Sequence, residues 1–333
     1  MFTTTPFPQL LHAFFYNWLI EQRDTSRHTI TAYRNTWRLF LRFVAQRHQK
    51  VVAKLKLSQL TAAEVLAFLK HLEQERKVSI ATRNCRLAAL RSFFTFVADR
   101  EPLAAAQCAE VLRIPTKRAP KRELGYLNTE EVTALLAQPD RTTLEGQRDH
   151  ALLALLYNTG ARIQEALDLC PWAVRLEPPA YVRLYGKGKK ERLCPLWPET
   201  AELIAALLSR KPRRDDEPIF VNRYGQPLGA AGVRYKLRHY VQAAAKQRPT
   251  LAGKRVTPHT FRHSTAVALV AAGVDVTVIR SWLGHVHLDT TNRYAQANLE
   301  TKRKALERIT DGRPDEPARW KDSYGLLDWL DTL

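Results

Sequence analysis

With 333 residues, 45% hydrophobic and 26% charged, the chain holds enough apolar material for two packed cores, which excludes wholesale disorder. An excess of 52 Lys and Arg over 33 Asp and Glu leaves a formal charge of +19, so the expected partner is a polyanion. Cys85, Cys108, Cys170 and Cys194 are scattered, Met1–Glu21 lacks the basic start of a signal peptide, and no stretch approaches the roughly 20 apolar residues of a membrane span, so a soluble cytoplasmic protein is expected.

From Phe7 to about Ala104 the pattern is helical. After Ser26, residues Tyr33, Trp37, Phe40, Leu41 and Val44 share one face, while Arg34, Arg38 and Arg42 recur every four residues on another. A second helix begins at Thr61, with Glu64 three positions on as a capping box. A third runs from Ser79 to Val97, with Leu87, Leu90 and Phe94 inward and Arg83 and Arg86 expected outside. Each basic stripe reads either as a phosphate-facing surface or as a solvated helix face. These helices form a first domain over 1–113.

Residues 114–126 carry prolines, a glycine and the cluster Lys117, Arg118, Lys121 and Arg122, the composition of an exposed basic linker. A second domain over 127–309 follows. Asn128 or Thr129 opens a helix, and a strongly apolar helix runs from Arg148 to Asn158 and stops at Gly160. Alternation across Tyr181–Tyr185, then Gly186-Lys187-Gly188, then Arg192, Leu193, Cys194 and Leu196 predicts a β-hairpin, with Lys187 and Lys189 in its turn. Thr257-Pro258 reads as a helix start, and Gly273 and Gly284 as stops. The fold class is mainly α with a small antiparallel sheet. A polar tail over 310–333 ends in the apolar string LLDWLDTL, a short helix over 324–333 that packs either in cis or onto a neighbour.

Breaking a phosphodiester without a metal needs cations on the non-bridging oxygens, a nucleophile in line and an acid for the leaving oxygen. Arg162, Lys187, His259, Arg262, His285 and Tyr294 supply those groups, although more than a hundred positions separate the first from the last. Taken singly, each has an ordinary reading: Arg162 paired with Glu165 or Asp168 on a surface helix, Lys187 a solvated turn residue, Tyr294 a half-buried helix tyrosine. His259, His263, His285 and His287 leave a metal-dependent nuclease conceivable, though the Glu of an HExxH site is missing.

The strings LLYNTGARIQEALDL, YGKGKKERLCPL, TPHTFRHSTAVALVAAG and WLGHVHLDTTNRYAQ resemble, in order and spacing, the four signature segments of the tyrosine recombinase (phage integrase) family. Residues 7–104 also resemble that family's helical core-binding, SAM-like domain. The resemblance implies a two-domain DNA clamp with Tyr294 as nucleophile, Arg162 and Arg262 as catalytic arginines, Lys187 on the hairpin, His259 and His285 as the histidines, and Glu165 in a supporting acidic position. It further implies a 3′-phosphotyrosine intermediate, no cofactor, metal or ATP, and double-stranded recombination sites as partners. A homo-tetramer joined through 324–333, and accessory recombination proteins, belong to the same expectation. A silent DNA-binding accessory factor of the same fold is the alternative, and the long tail favours a mobile-element integrase over a resolvase.

Overall fold

The computed structural model describes residues 5–119, 125–186 and 190–284. The chain divides into two compact units, Met1–Arg122 and Glu123–Leu333.

In the first unit, α1 (Phe7–Ala13) runs directly into a π-helical segment, Phe14–Gln22. It is followed by α2 (Arg27–Arg47), α3 (Ala62–Gln74), α4 (Ile80–Ala98) and α5 (Ala105–Arg113). Side-chain oxygens set three of the starts: Ser26, Thr61 and Ser79 accept from the backbone N–H of Thr29, Glu64 and Thr82. Glu64, expected to return the favour to Thr61, turns instead to the Arg47 guanidinium at 3.0 Å. The core is aromatic. Phe14 lies 5.3 Å from Phe93 edge to face, and Trp37 lies 4.5 Å from the same ring.

One expectation about this unit is corrected. Arg83 does not face outward: it is 4% exposed and donates to the Asn84 side chain and to the Pro115 carbonyl, each at 3.1 Å. The start of the basic linker is exposed, as expected, and is tethered as well. Arg91 donates to the carbonyls of Leu112 and Ile114, Asn84 exchanges two bonds with the Lys117 backbone (2.7 and 3.1 Å), and the Lys117 ammonium meets Glu73 at 2.8 Å. Residues 112–117 are thereby laid along α4, because a buried guanidinium needs acceptors and these carbonyls supply them.

The second unit contains α6 (Thr129–Leu136), α7 (Leu144–Thr159), α8 (Ile163–Leu167), strands β1 (Val174–Arg175), β2 (Tyr181–Tyr185) and β3 (Glu191–Pro195), then α9 (Pro198–Arg210), α10 (Ala230–Ala245), α11 (Pro258–Ala271) and α12 (Val276–Leu283). The sheet order is β1-β2-β3, antiparallel throughout, so the hairpin expected at 180–196 gains a short third strand. The register sets Val182 opposite Cys194 and Leu184 opposite Arg192, which puts Arg192 on the face that carries the buried residues. Leu152, Leu155 and Leu156 of α7 pack with Val182, Leu184, Ile204, Phe220, Leu237 and Phe261 in a single core. The architecture is mainly helical with a small antiparallel sheet, as the sequence implies.

Polar pins fix the helices that frame the site. Asn128 and Glu131 form a reciprocal cap on α6, and Lys254 bonds both Glu131 oxygens at 2.7 and 2.8 Å. Asn158 on α7 grips both sides of the strand exit, donating to the Pro195 carbonyl and accepting from the Trp197 N–H. Thr265 on α11 donates to the Tyr157 carbonyl at 2.6 Å, and the Leu127 N–H donates to Ser264 at 2.8 Å. Behind them, the buried Asp149 carboxylate collects Arg148, Lys236 and Tyr240, joining α7 to α10.

Candidate active site

The apolar helix α7 ends at Gly160, whose φ of +59° is the left-handed turn that releases the chain from the helix. A Cβ there would lie 2.5 Å from Leu283 Cδ2, so conformation and close approach both call for glycine. Two residues on, Arg162 is the N-cap of α8. Its backbone N–H donates to Glu165 Oε2 (2.9 Å) and its Nη1 to Glu165 Oε1 (2.7 Å). The Glu165 side chain is 5% exposed and that of Arg162 38% exposed. The carboxylate is therefore the buried anchor, and the guanidinium reaches outward from it.

Arg192 on β3 completes the anchor. Its Nη2 donates to Glu165 Oε2 at 2.7 Å and its Nε to the Trp282 carbonyl at 2.9 Å. Burial by itself raises the Glu165 pKa, but hydrogen bonds and charge from Arg192, then the bonds from Arg162, outweigh it and hold the carboxyl below its usual range. Gly186, where the hairpin turn leaves β2, comes close to the same pair: a Cβ there would lie 3.3 Å from Glu165 Oε1 and 3.6 Å from Arg162 Nη1.

Arg262 and His259 sit on α11, which Thr257 caps by accepting the Thr260 N–H. The Arg262 side chain is buried, with 1% exposure for the residue, and donates through Nη1 to the Gly160 carbonyl (2.7 Å) and through Nη2 to the Leu283 carbonyl (2.5 Å). His259 is solvent-accessible, yet enough protein surrounds its ring that desolvation is the largest cause lowering its pKa below 6.5. The charges of Arg262 and then Arg162 push it down further. A neutral imidazole beside two guanidiniums can accept a proton where an anion would be stabilised. The His263 ring stacks edge-on to His259 at 4.5 Å.

Of the six residues singled out for chemistry, the structure brings Arg162, His259 and Arg262 into one locality, with Glu165 behind them. Lys187, His285 and Tyr294 lie outside the described residues, as do Lys121, Arg122 and Lys189 and the segment 324–333. Arg192 was not anticipated as part of the site. Its signal was an arginine on the apolar register of a strand, between Cys194 and the turn. Among the described residues no group of three or more His, Cys, Asp or Glu is placed to hold a metal ion. In the first unit, Arg34, Arg38 and Arg42 are exposed along α2 as expected, and Arg118 is exposed as well. Arg86 is half-buried, with one guanidinium nitrogen buried and unpartnered.

Comparison with known proteins shows the family. Residues 125–301 match the model of the phage integrase family, and residues 13–101 match that of the phage integrase N-terminal SAM-like domain. The putative integrase/recombinase y4rC of Sinorhizobium fredii is 39% identical over 324 residues, 97% of this chain and 97% of that protein. Tyrosine recombinase XerC of Myxococcus xanthus is 33% identical over 290 residues, 85% of this chain and 91% of that one. The solved XerH site-specific recombinase, in a post-cleavage complex with palindromic difH substrate, shares the fold with a TM-score of 0.69 at 21% identity, over 89% of this chain and 84% of that chain. A family match over more than half the sequence, and a relative that aligns along nearly all of it, establish that the chain belongs to the phage integrase family of tyrosine recombinases.

Proposed function

We propose that this protein is a site-specific DNA recombinase that cuts and rejoins strands through a 3′-phosphotyrosine on Tyr294. The observation that carries the reading is the convergence of distant segments: Arg262 holds the Gly160 carbonyl at 2.7 Å, two residues before Arg162, and His259 stands on the same helix as Arg262, about a hundred residues away in sequence.

In this reading a scissile phosphate lies against the two arginines, whose N–H groups take up the charge that grows on the non-bridging oxygens. The Tyr294 hydroxyl attacks phosphorus, His259 accepts its proton, and the bond from phosphorus to the 5′-oxygen breaks. Lys187 gives a proton to that leaving oxygen, and His285 donates to a phosphate oxygen. A second strand's 5′-hydroxyl then reverses these steps. One phosphodiester is exchanged for another, so the reaction needs neither ATP nor a metal. A free tyrosine titrates near 10, which is why a neighbouring base is required at neutral pH.

Arg34, Arg38, Arg42 and Arg118 are the side chains we assign to phosphate contacts in the first unit, with Lys121 and Arg122 there and Lys189 in the second unit added from the sequence. Exchange between two duplexes requires several protomers, and a tetramer joined through 324–333 meets that need. The tail, together with the integrase name carried by the Sinorhizobium fredii relative, favours service to a mobile element.

The test is a nicked suicide duplex carrying whichever sequence the full-length protein enriches from a random duplex pool. Wild type should form a covalent adduct that survives denaturing electrophoresis, in the presence of chelator, and Tyr294→Phe should form none. Salt-sensitive binding without any adduct would identify a silent DNA-binding factor instead.

A further inference from the structure

Arg192 is placed where three parts of the site meet, β3, Glu165 and the end of α12, and takes no part in the bond-breaking steps. It stands on β3, five residues beyond Lys187, and its side chain is 8% exposed. Two of its donors have fixed partners. Nη2 meets Glu165 Oε2, the oxygen that also accepts the Arg162 backbone N–H, and Nε meets the Trp282 carbonyl in the last turn of α12. Room for it is provided at Gly284, where a Cβ would lie 3.2 Å from Arg192 Cδ and 3.3 Å from its Nη1. Gly284 itself takes the left-handed conformation, φ +63°, and directly precedes His285.

Each contact answers a physical need. A carboxylate as buried as that of Glu165 requires compensating cations, and with Arg192 in place Oε1 is left to the Arg162 guanidinium. The last carbonyls of α12 lack intrahelical donors, and Arg192 and Arg262 supply them at Trp282 and Leu283 respectively. A guanidinium suits this better than an ammonium because its planar fork serves two acceptors held at a fixed angle.

We infer that Arg192 is a positioning residue for strand cleavage: it holds Glu165 so that Arg162 points at the scissile phosphate, and it fixes the end of α12 from which the chain continues to His285. The inference rests on the recombinase reading above. The effect of Arg192 falls on the rate of the chemical step rather than on DNA affinity.

The experiment measures single-turnover cleavage of the same suicide duplex by the full-length chain, as a function of DNA concentration. The variants are Arg192→Gln, Arg192→Lys, Glu165→Gln and the Arg192→Gln/Glu165→Gln pair. Misplacement of a reacting group by an ångström costs about 100-fold, so Arg192→Gln should slow cleavage at saturating DNA by about 10- to 100-fold. The half-saturating DNA concentration should stay within about twofold. Because both residues act through Arg162, the double variant should be no slower than the worse single one by more than about threefold, the non-additivity of groups that act as a unit. Arg192→Lys keeps the charge but not the fork, and should fall between wild type and Arg192→Gln.

A thermal unfolding curve for each variant separates loss of fold from loss of placement. If Arg192→Gln does not fold, the lysine variant decides the matter by the same criterion. Wild-type cleavage rates in the folded variants, a loss seen only in DNA affinity, or fully multiplicative effects in the double variant would each overturn the inference. Failure of wild type to form a Tyr294-dependent adduct would instead strike the recombinase reading, which is a separate result in the same assay.

Discussion

Arg262 donates through Nη1 to the carbonyl of Gly160, 2.7 Å away, and so joins the end of α7 to α11 across 102 positions of sequence. Its other terminal nitrogen holds Leu283 at the end of α12. A side chain assigned to the phosphate is thus also a structural staple between three helices. Replacing it with methionine leaves two carbonyls without their donor and should destabilise the second unit by about 2 kcal/mol. Chemical denaturation followed through the tryptophans of that unit measures this, and an unchanged midpoint would show the staple to be idle.

Gly160 is constrained twice over. Alanine must adopt φ +59° at a cost of about 1–2 kcal/mol, and its Cβ must displace Leu283 from 2.5 Å. Gly160→Ala should therefore lower the melting temperature and slow cleavage together. The second effect follows because the turn leads directly to Arg162. A variant that melts lower but cuts at the wild-type rate would separate the turn from the site.

Protonation of His259 should set an acid limit on cleavage. Burial, Arg262 and Arg162 all favour its neutral form, so the group titrates below 6.5 and the base is available at pH 7. As pH falls through that lowered value the rate should drop, since His259 in its protonated form cannot accept the Tyr294 proton. Arg262→Gln removes one of the opposing charges and should move the limb to higher pH, whatever its effect on the maximum rate. The pH profile of single-turnover cleavage tests the sign: a limb displaced to lower pH contradicts the assignment.

Arg34, Arg38 and Arg42 should matter through salt. Each phosphate contact contributes about 0.9 to the slope of log affinity against log salt, so replacing all three with Gln should flatten that slope by about 2–3. Unfolding should be unaffected, because the three are exposed.

Arg83 should behave in the opposite way. It is buried against Asn84 and the Pro115 carbonyl, with Glu73 at 3.7 Å. Arg83→Met should cost the first unit about 1–3 kcal/mol while leaving the salt slope of DNA binding intact. A flattened slope at unchanged stability would return this residue to the DNA surface.

The contrast between Arg83 on α4 and the exposed arginines of α2 marks the limit of what sequence periodicity conveys. Helix starts were legible because Ser26, Thr61, Ser79 and Thr257 carry their own capping oxygens, and the hairpin because alternation brackets a Gly-Lys-Gly turn. An arginine three or four residues from another looks like part of an exposed stripe whether it is solvated or buried. Only the Pro115 carbonyl, brought alongside α4, decides the case for Arg83. Residues 198–245 received no assignment from the sequence, and α9 and α10 emerge there. Part of their support comes from distant partners, such as Asp149 for Lys236 and Tyr240. The site followed the same rule. Arg162, Glu165, His259 and Arg262 were legible from the signature strings, whereas Arg192 acquires its role only when Glu165 and Trp282 arrive from other elements.

The staple at Arg262 bears on how sequences of this kind are sorted. A lineage released from selection for recombination still has to fold, and folding alone is reason to keep an arginine that closes the ends of two helices. Retention of that residue is weak testimony to activity. Arg162, whose guanidinium reaches outward, has less to do for the fold, so its loss is the earlier sign of a recombinase in decay.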